Sequence, residues 1–233
     1  SGACAGISSS VIVTNNLIPT LAPITNYSLC DNNADGDDTN GIVTFNLTSK
    51  TSEILNSQSG IVVTYHDLES DAIAGTNGIT SIYTGSRIIY ARLTNTTTNC
   101  YNVTSFNLVV NPLPVINSTV TLKQCDIDID AITSFNLTEA NNIISSQSNL
   151  VFTYHTSPAN ALSGNAPITN PNQYISGNNG RVWARIVNEN GCFRTSEVNL
   201  IVSTTVINLT NPYVINECDD YIDATDPNGD GFD

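Results

Sequence analysis

Short runs of β-branched and aromatic residues recur along this chain, each bounded by turn residues: GIVVTYH at 60–66, RIIYARL at 87–93 and RVWARIV at 181–187. Runs of this length, with partial two-residue alternation, predict strands rather than helices. The pattern predicts strands over 42–48, 61–67, 79–83, 87–94 and 101–110. A second set follows over 132–138, 150–156, 173–176, 181–188 and 193–202. The last two strands of each set read as a hairpin, around TTTN in one and around NENG in the other. Segments 49–58 and 139–147 predict one or two helical turns each.

The two sets are copies of one unit. Phe45-Asn46-Leu47-Thr48 returns as Phe135-Asn136-Leu137-Thr138, and Thr64-Tyr65-His66 returns as Thr153-Tyr154-His155. Tyr90-Ala91-Arg92 returns as Trp183-Ala184-Arg185, and Cys100 as Cys192. Cys30, Cys125 and Cys218 open equivalent acidic segments, 95 and 93 positions apart. The expected division is residues 1–24 as the last strand of an upstream module with its linker, 25–114 as module one, 115–210 as module two, and 211–233 as the start of a further module. Each module is expected to be an all-β, immunoglobulin-like or fibronectin-III-like β-sandwich. The prolines in Asn111-Pro112-Leu113-Pro114 and Asn211-Pro212 stiffen the junctions and favour an extended rod.

Composition narrows the function. The net charge is −14, from 21 acids against 7 bases, which disfavours nucleic acid and anionic lipid as partners. No apolar run reaches the ~18 residues of a membrane helix, so direct membrane insertion is not expected. No basic, then apolar leader opens the chain, so any signal peptide is expected to be gone or to lie upstream. Six cysteines without a CxxC pair suit disulfides in an oxidising compartment. Two connectivities respect the repeat. In one, each module closes on itself through Cys30–Cys100 and Cys125–Cys192. In the other, Cys4–Cys30, Cys100–Cys125 and Cys192–Cys218 cross the junctions, with separations of 26, 25 and 26. The first is preferred, because a unit that folds alone needs its own staple and an extended junction would hold Cys100 far from Cys125.

The acidic segments carry the candidate chemistry. Thirteen of the 21 acids fall in the three segments that follow Cys30, Cys125 and Cys218, whereas charge serving solubility alone would be spread out. Asp31, Asn33 and Asp35, with Gly36 and Asp37 beyond, place oxygen ligands at alternate positions before a glycine. Asp226, Asn228 and Asp230 repeat this before Gly231; Asp126, Asp128 and Asp130 repeat the ligands but have Ala131 at the turn. All these ligands are oxygen, so calcium is the expected ion. Ile42 and Leu137 stand where an EF-hand would place its bidentate glutamate, so other groups must complete the shell. The competing reading is a solvated acidic turn. Catalysis is not expected: His66 and His155 recur as strand residues without a recurring acid or nucleophile, and there is no GxSxG. Arg92 and Arg185 read as strand-face ion pairs or cation–π contacts, and Trp183 reads as core before sugar platform.

The ordered set of acidic cysteine loop, Phe-Asn-Leu-Thr, Thr-Tyr-His, Tyr/Trp-Ala-Arg, turn cysteine and Asn-Pro-x-Pro resembles the tandem repeats of large Bacteroidetes cell-surface proteins. Among these are SprB-type gliding-motility adhesins and other cargo of the type IX secretion system. The resemblance implies export, surface display and adhesion, and carries Cys30 with Cys100, Cys125 with Cys192 and the acidic loops. The expected function is a non-enzymatic, calcium-stiffened segment of a long extracellular adhesin or filament. Its expected partners are neighbouring modules of the same chain and, beyond them, surface glycans or other surface proteins. The alternative is a carbohydrate-binding or spacer region of a secreted polysaccharide-degrading enzyme.

Overall fold

The computed structural model describes residues 15–126 and 130–203. Module one runs β1 (Tyr27–Cys30), β2 (Val43–Asn46), α1 (Thr51–Leu55), β3 (Ile61–His66), α2 (Glu69–Ala74), β4 (Ser81–Thr84), β5 (Arg87–Asn95) and β6 (Tyr101–Asn111). Module two repeats the order with β7 (Thr119–Cys125), β8 (Ile132–Phe135), α3 (Asn141–Ile144), β9 (Val151–His155), α4 (Pro158–Ser163), β10 (Tyr174–Gly177), β11 (Gly180–Val187) and β12 (Phe193–Ser203). Each module has a four-stranded sheet, β1-β6-β5-β3 or β7-β12-β11-β9, and a two-stranded sheet, β2-β4 or β8-β10. The opening strand lies parallel to the closing one, and every other pairing is antiparallel. Two sheets enclosing one core make each module an all-β, immunoglobulin-like sandwich.

Strand alternation sorts residues between the faces. On β5, Ile89, Ala91 and Leu93 are wholly buried and pack with Phe45, Leu47, Ile54, Phe106 and Leu108. On β11, Val182, Ala184 and Ile186 do the same with Phe135, Leu137, Ile144, Val198 and Leu200. This explains the recurring Phe-Asn-Leu-Thr. Its Phe and Leu fill the core, while the Asn side chain accepts from the backbone and hydroxyl of the Thr and starts a 3-10 turn.

The opposite face of each four-stranded sheet is roofed by α2 or α4. Arg92 leaves this face of β5 and donates to the carbonyls of Ala72 and Ile73, closing the C-terminal end of α2. Arg185 does the same to Ala161 and Leu162 of α4. Gly75 and Gly164 end these helices at φ 71° and 74°, a conformation glycine takes without strain.

The predicted strands are found within a few residues of their bounds, and β1 and β7 are additional. Tyr27 pairs with Leu108 and Thr119 with Glu197, so no local turn marks either opening strand. Helices α2 and α4 are also additional. Residues 1–14 of the expected upstream segment 1–24, and the whole of the expected further module over 211–233, lie outside the described residues.

Candidate functional site at the module junction

Each module has two poles, and its cysteines sit one at each. Cys30 ends β1 opposite Asn111, the last residue of β6. Cys100 immediately precedes Tyr101, the first residue of that same strand. Ten steps of strand separate the poles by roughly 33 Å. Cys125 and Cys192 stand apart in the same way, because Cys125 pairs with Ser203 and Cys192 precedes Phe193. A disulfide needs Cα atoms ~4.4–6.8 Å apart. Neither expected intramodule bond, Cys30–Cys100 or Cys125–Cys192, can therefore form.

The bond that does form is Cys30–Cys192, with Cα atoms 5.6 Å apart and 162 positions between them in sequence. It joins the C-terminal pole of module one to the β11–β12 hairpin at the N-terminal pole of module two. The junction-crossing alternative is corrected as well. Cys30 and Cys192 are taken, so Cys4–Cys30 and Cys192–Cys218 are excluded. Cys100 and Cys125 are free thiols at the two far poles, with both modules between them. Cys4 and Cys218 lie outside the described residues.

The seam around the bond is polar and backbone-rich. Cys192 is fully buried, and its N–H donates to Asn188 Oδ1 at 3.0 Å. Asn188 Nδ2 donates across the junction to the carbonyl of Pro112 at 2.9 Å. Pro114 is buried, and Arg194 donates to its carbonyl at 3.1 Å. The same arginine forms an ion pair with Asp38 at 2.5 Å and reaches the Asp38 carbonyl at 3.4 Å. The acidic loop of module one is thus a docking element for module two.

Most of that loop's carboxylates are engaged within the loop. Asp31 is buried; its Oδ2 accepts from the Gly41 N–H at 2.8 Å and its Oδ1 from the Asn32 N–H. Asp35 accepts from Tyr83, Asn40 and the Asp37 N–H, and the Tyr83 hydroxyl is the main reason its carboxyl falls to about 2. Asp37 accepts from the N–H and hydroxyl of Thr39. Asn33 opens a 3-10 turn capped by Asn32. Each carboxylate retains a lone pair beyond these hydrogen bonds, so the bonds order the loop without using up its acceptor capacity. Among the described residues, no three His, Cys, Asp or Glu side chains converge as a metal group.

The loop of module two is shorter. Asp126 Oδ2 accepts from the Ala131 N–H at 2.7 Å and Asp130 Oδ1 from the Ile132 N–H at 2.7 Å. Ala131 therefore corresponds to Gly41, not to the Gly36 with which the spacing aligned it. Asp128, Asp226, Asn228 and Asp230 lie outside the described residues.

The recurring histidines are buried, not at the surface. His66 joins the Thr64 hydroxyl to the Thr76 carbonyl at 2.8 and 2.7 Å; His155 joins Thr153 to Asn165 at 3.0 and 2.8 Å. A carbonyl only accepts, so Nδ1 carries the proton in both rings. Both histidines tie the strand to the segment after the roofing helix. Arg92 stacks 3.5 Å over Tyr101 and Arg185 3.3 Å over Phe193, as cation–π contacts beside the turn cysteines. Trp183 is half-buried on the roofed face of β11, outside the core cluster.

Sequence reasoning missed Arg194 and Asp38. The available signal was the contrast between Cys192-Phe193-Arg194 and Cys100-Tyr101-Asn102, one charged and one neutral residue at the same repeat position.

The profile of a family described as "Flavobacterium inter-domain disulphide bond domain" matches residues 26–114 and 121–206. No curated protein matches the chain. Among solved structures it is similar to human mucin-like protocadherin EC1-2, at 10% identity over 63% of this chain and 86% of that one, with a TM-score of 0.25. It is similar to the insect immune protein hemolin at 12% identity, over 79% of this chain and 47% of that one, with a TM-score of 0.27. It is also similar to an endo-fucoidan hydrolase of glycoside hydrolase family 107, at 8% identity over 78% of this chain and 28% of that one, with a TM-score of 0.21. The chain spans less than half of hemolin and less than a third of the hydrolase.

Proposed function

Because the chain belongs to the Flavobacterium inter-domain disulphide bond domain family, we propose that it is a load-bearing, non-enzymatic segment of a secreted cell-surface repeat protein. The carrying observation is the bond between Cys30 and Cys192, placed on facing poles of successive modules. Cys100 and Cys125 occupy the equivalent poles and take the equivalent partners in modules on either side. Each bond then runs from a module's C-terminal pole to the hairpin of the next. Successive bonds overlap, since Cys125 lies inside the stretch that Cys30–Cys192 encloses. Such a bond persists only where thiols are not kept reduced, which supports an extracytoplasmic setting. The array serves attachment by holding a binding region away from the cell.

Force on such an array passes through sulfur instead of unravelling backbone. Tension reaching Cys30 crosses directly to Cys192, so residues 31–191 are shielded even if both cores open. At roughly 3.5 Å per extended residue, the shielded length is on the order of 500 Å. The test is single-molecule stretching of a chain whose Cys4, Cys100, Cys125 and Cys218 are replaced by Ser. Oxidised, it should lack that extension; after a reducing agent is added, the extension should appear. Equal extension in both states would overturn the proposal.

A further inference from the structure

The described residues include two cysteine hairpins, and Cys30 is bonded to one of them, through Cys192, while Cys100 of the other is free. The β5–β6 hairpin presents Cys100-Tyr101-Asn102, and the β11–β12 hairpin presents Cys192-Phe193-Arg194. They share their tethers. Asn102 donates to the Pro19 carbonyl at 3.2 Å, as Arg194 donates to that of Pro114 at 3.1 Å. An arginine also stacks on the aromatic residue of each. After the cysteine, what separates them is charge at one position, Asn102 against Arg194; the second turn also carries Glu189.

The acidic loops also differ, in length. The loop of module one, 31–41, runs to Gly41 before its closing bond to Asp31; that of module two, 126–131, closes on Asp126 five residues earlier. In the long loop Asp31, Asp35 and Asp37 accept from within the loop or from Tyr83. Asp38 instead aims its carboxylate across the junction at Arg194. Arg194 joins the long loop to the linker through the Asp38 carboxylate, the Asp38 carbonyl and the Pro114 carbonyl. It is 22% exposed in its side chain and Asp38 36%, so the pair is only partly screened.

We infer that Asp38 and Arg194 form a pairing key: a module with the long acidic loop accepts a following hairpin that carries arginine two residues after its cysteine, so Cys30 is delivered to Cys192 and not to a Cys100-type hairpin. The inference rests on the array reading above and adds an order to it. Hairpins of the Asn102 type belong after modules whose loop lacks an outward acid. Charge complementarity across an interface sets register and rejects wrong partners more than it adds affinity. The covalent step follows docking. An external disulfide such as oxidised glutathione forms a mixed disulfide with one of the two cysteines, releasing one glutathione thiolate. The other cysteine's thiolate then displaces the second glutathione, leaving Cys30–Cys192 and two reduced glutathiones.

The test refolds the whole reduced chain in a glutathione buffer and maps disulfides by non-reducing peptide mass spectrometry. The wild type should give Cys30–Cys192 as the dominant bond. Asp38→Arg or Arg194→Asp alone should lower its initial rate about fivefold relative to Cys30–Cys100 bonds between chains. The double variant Asp38→Arg/Arg194→Asp should restore it, and Asn102→Arg should raise the Cys30–Cys100 bond between chains. Unchanged partition in both single variants, or no restoration by the double variant, would overturn the key. A wild type that does not form Cys30–Cys192 would instead sink the array reading.

Discussion

Position 50 is lysine and its counterpart, 140, is alanine, and both are buried. Around Lys50 module one builds an ionic pin. The ammonium contacts Glu53 and donates to the Thr25 hydroxyl at 2.9 Å, and Glu53 accepts from the Thr25 N–H at 2.6 Å. Module two has Val120, Ala140 and Ile143 at the positions of Thr25, Lys50 and Glu53. It closes the same corner with Asn117, which donates from its N–H to Ile144 and from its side chain to Ile143. Its Val120 and Ala140 join the core. The corner must tie the lead-in of the first strand to the helical turn. Whether charge, hydroxyl, amide or packing does so is free to vary between copies.

The comparison breaks most severely at what the copies share. Phe45 and Phe135 are the largest wholly buried side chains, each in its own core. Phe45→Ala and Phe135→Ala should each cost about 3–5 kcal/mol. If the cores are independent, hydrogen exchange should quicken in the substituted module only. Loss of protection in both would mean that the disulfide-linked pair unfolds as one unit.

That each copy has its own core was legible in the sequence, because the repeated Phe-Asn-Leu-Thr and Thr-Tyr-His place the same residue types inward twice. So were the hairpins, whose strands are neighbours in sequence. The opening strands were not, since each pairs in parallel with a strand about 80 positions later. Yet Val120 and Leu122 in TVTLKQC do alternate inward. The disulfide was misread for the same reason. Once β1 is known to run beside β6, Cys30 and Cys100 fall at opposite poles and only a neighbouring module is within reach. The acidic loops were read as one motif because their first aspartates align. The hydrogen bonds that close them show loops of two lengths, and the longer one meets the next module through Asp38.

The ionic pin gives the comparison a pH dependence. Glu53 is held at about 2, chiefly by Lys50 and then by the Thr25 N–H, against an ordinary 4.5. A depressed carboxyl stabilises the fold fully above its unfolded value and loses that contribution as pH falls toward 2. Asp35 acts in the same direction, from 3.8 to about 2, through Tyr83. Both groups belong to module one, and Ile143 replaces Glu53 in module two. Acidification from pH 5 to pH 2 should therefore weaken module one more than module two, and Glu53→Gln should narrow the gap. Residue-resolved exchange in both modules across that range checks it; equal acid sensitivity would show that the pin contributes nothing. Lys50→Ala at pH 7 should cost about 1–3 kcal/mol, because it leaves the Glu53 carboxylate without its cation.

The smallest test lies at the loop closures. Gly41 and Ala131 each donate an N–H to the aspartate that opens their loop, and each does so with positive φ, 71° and 62°. Glycine adopts this backbone freely, whereas alanine's Cβ crowds the following carbonyl. A Cβ built on Gly41 meets nothing within 4 Å, so the cost of Gly41→Ala is conformational and not steric against neighbours. The two reciprocal substitutions should therefore move in opposite directions by similar amounts. Ala131→Gly should stabilise module two by about 1 kcal/mol, and Gly41→Ala should destabilise module one by about 1 kcal/mol. Urea denaturation of the oxidised chain, followed module by module, reads both. If Ala131→Gly weakens module two instead, the added freedom of the unfolded chain outweighs the relief of strain, and the shorter loop tolerates its alanine for a reason other than the hydrogen bond to Asp126.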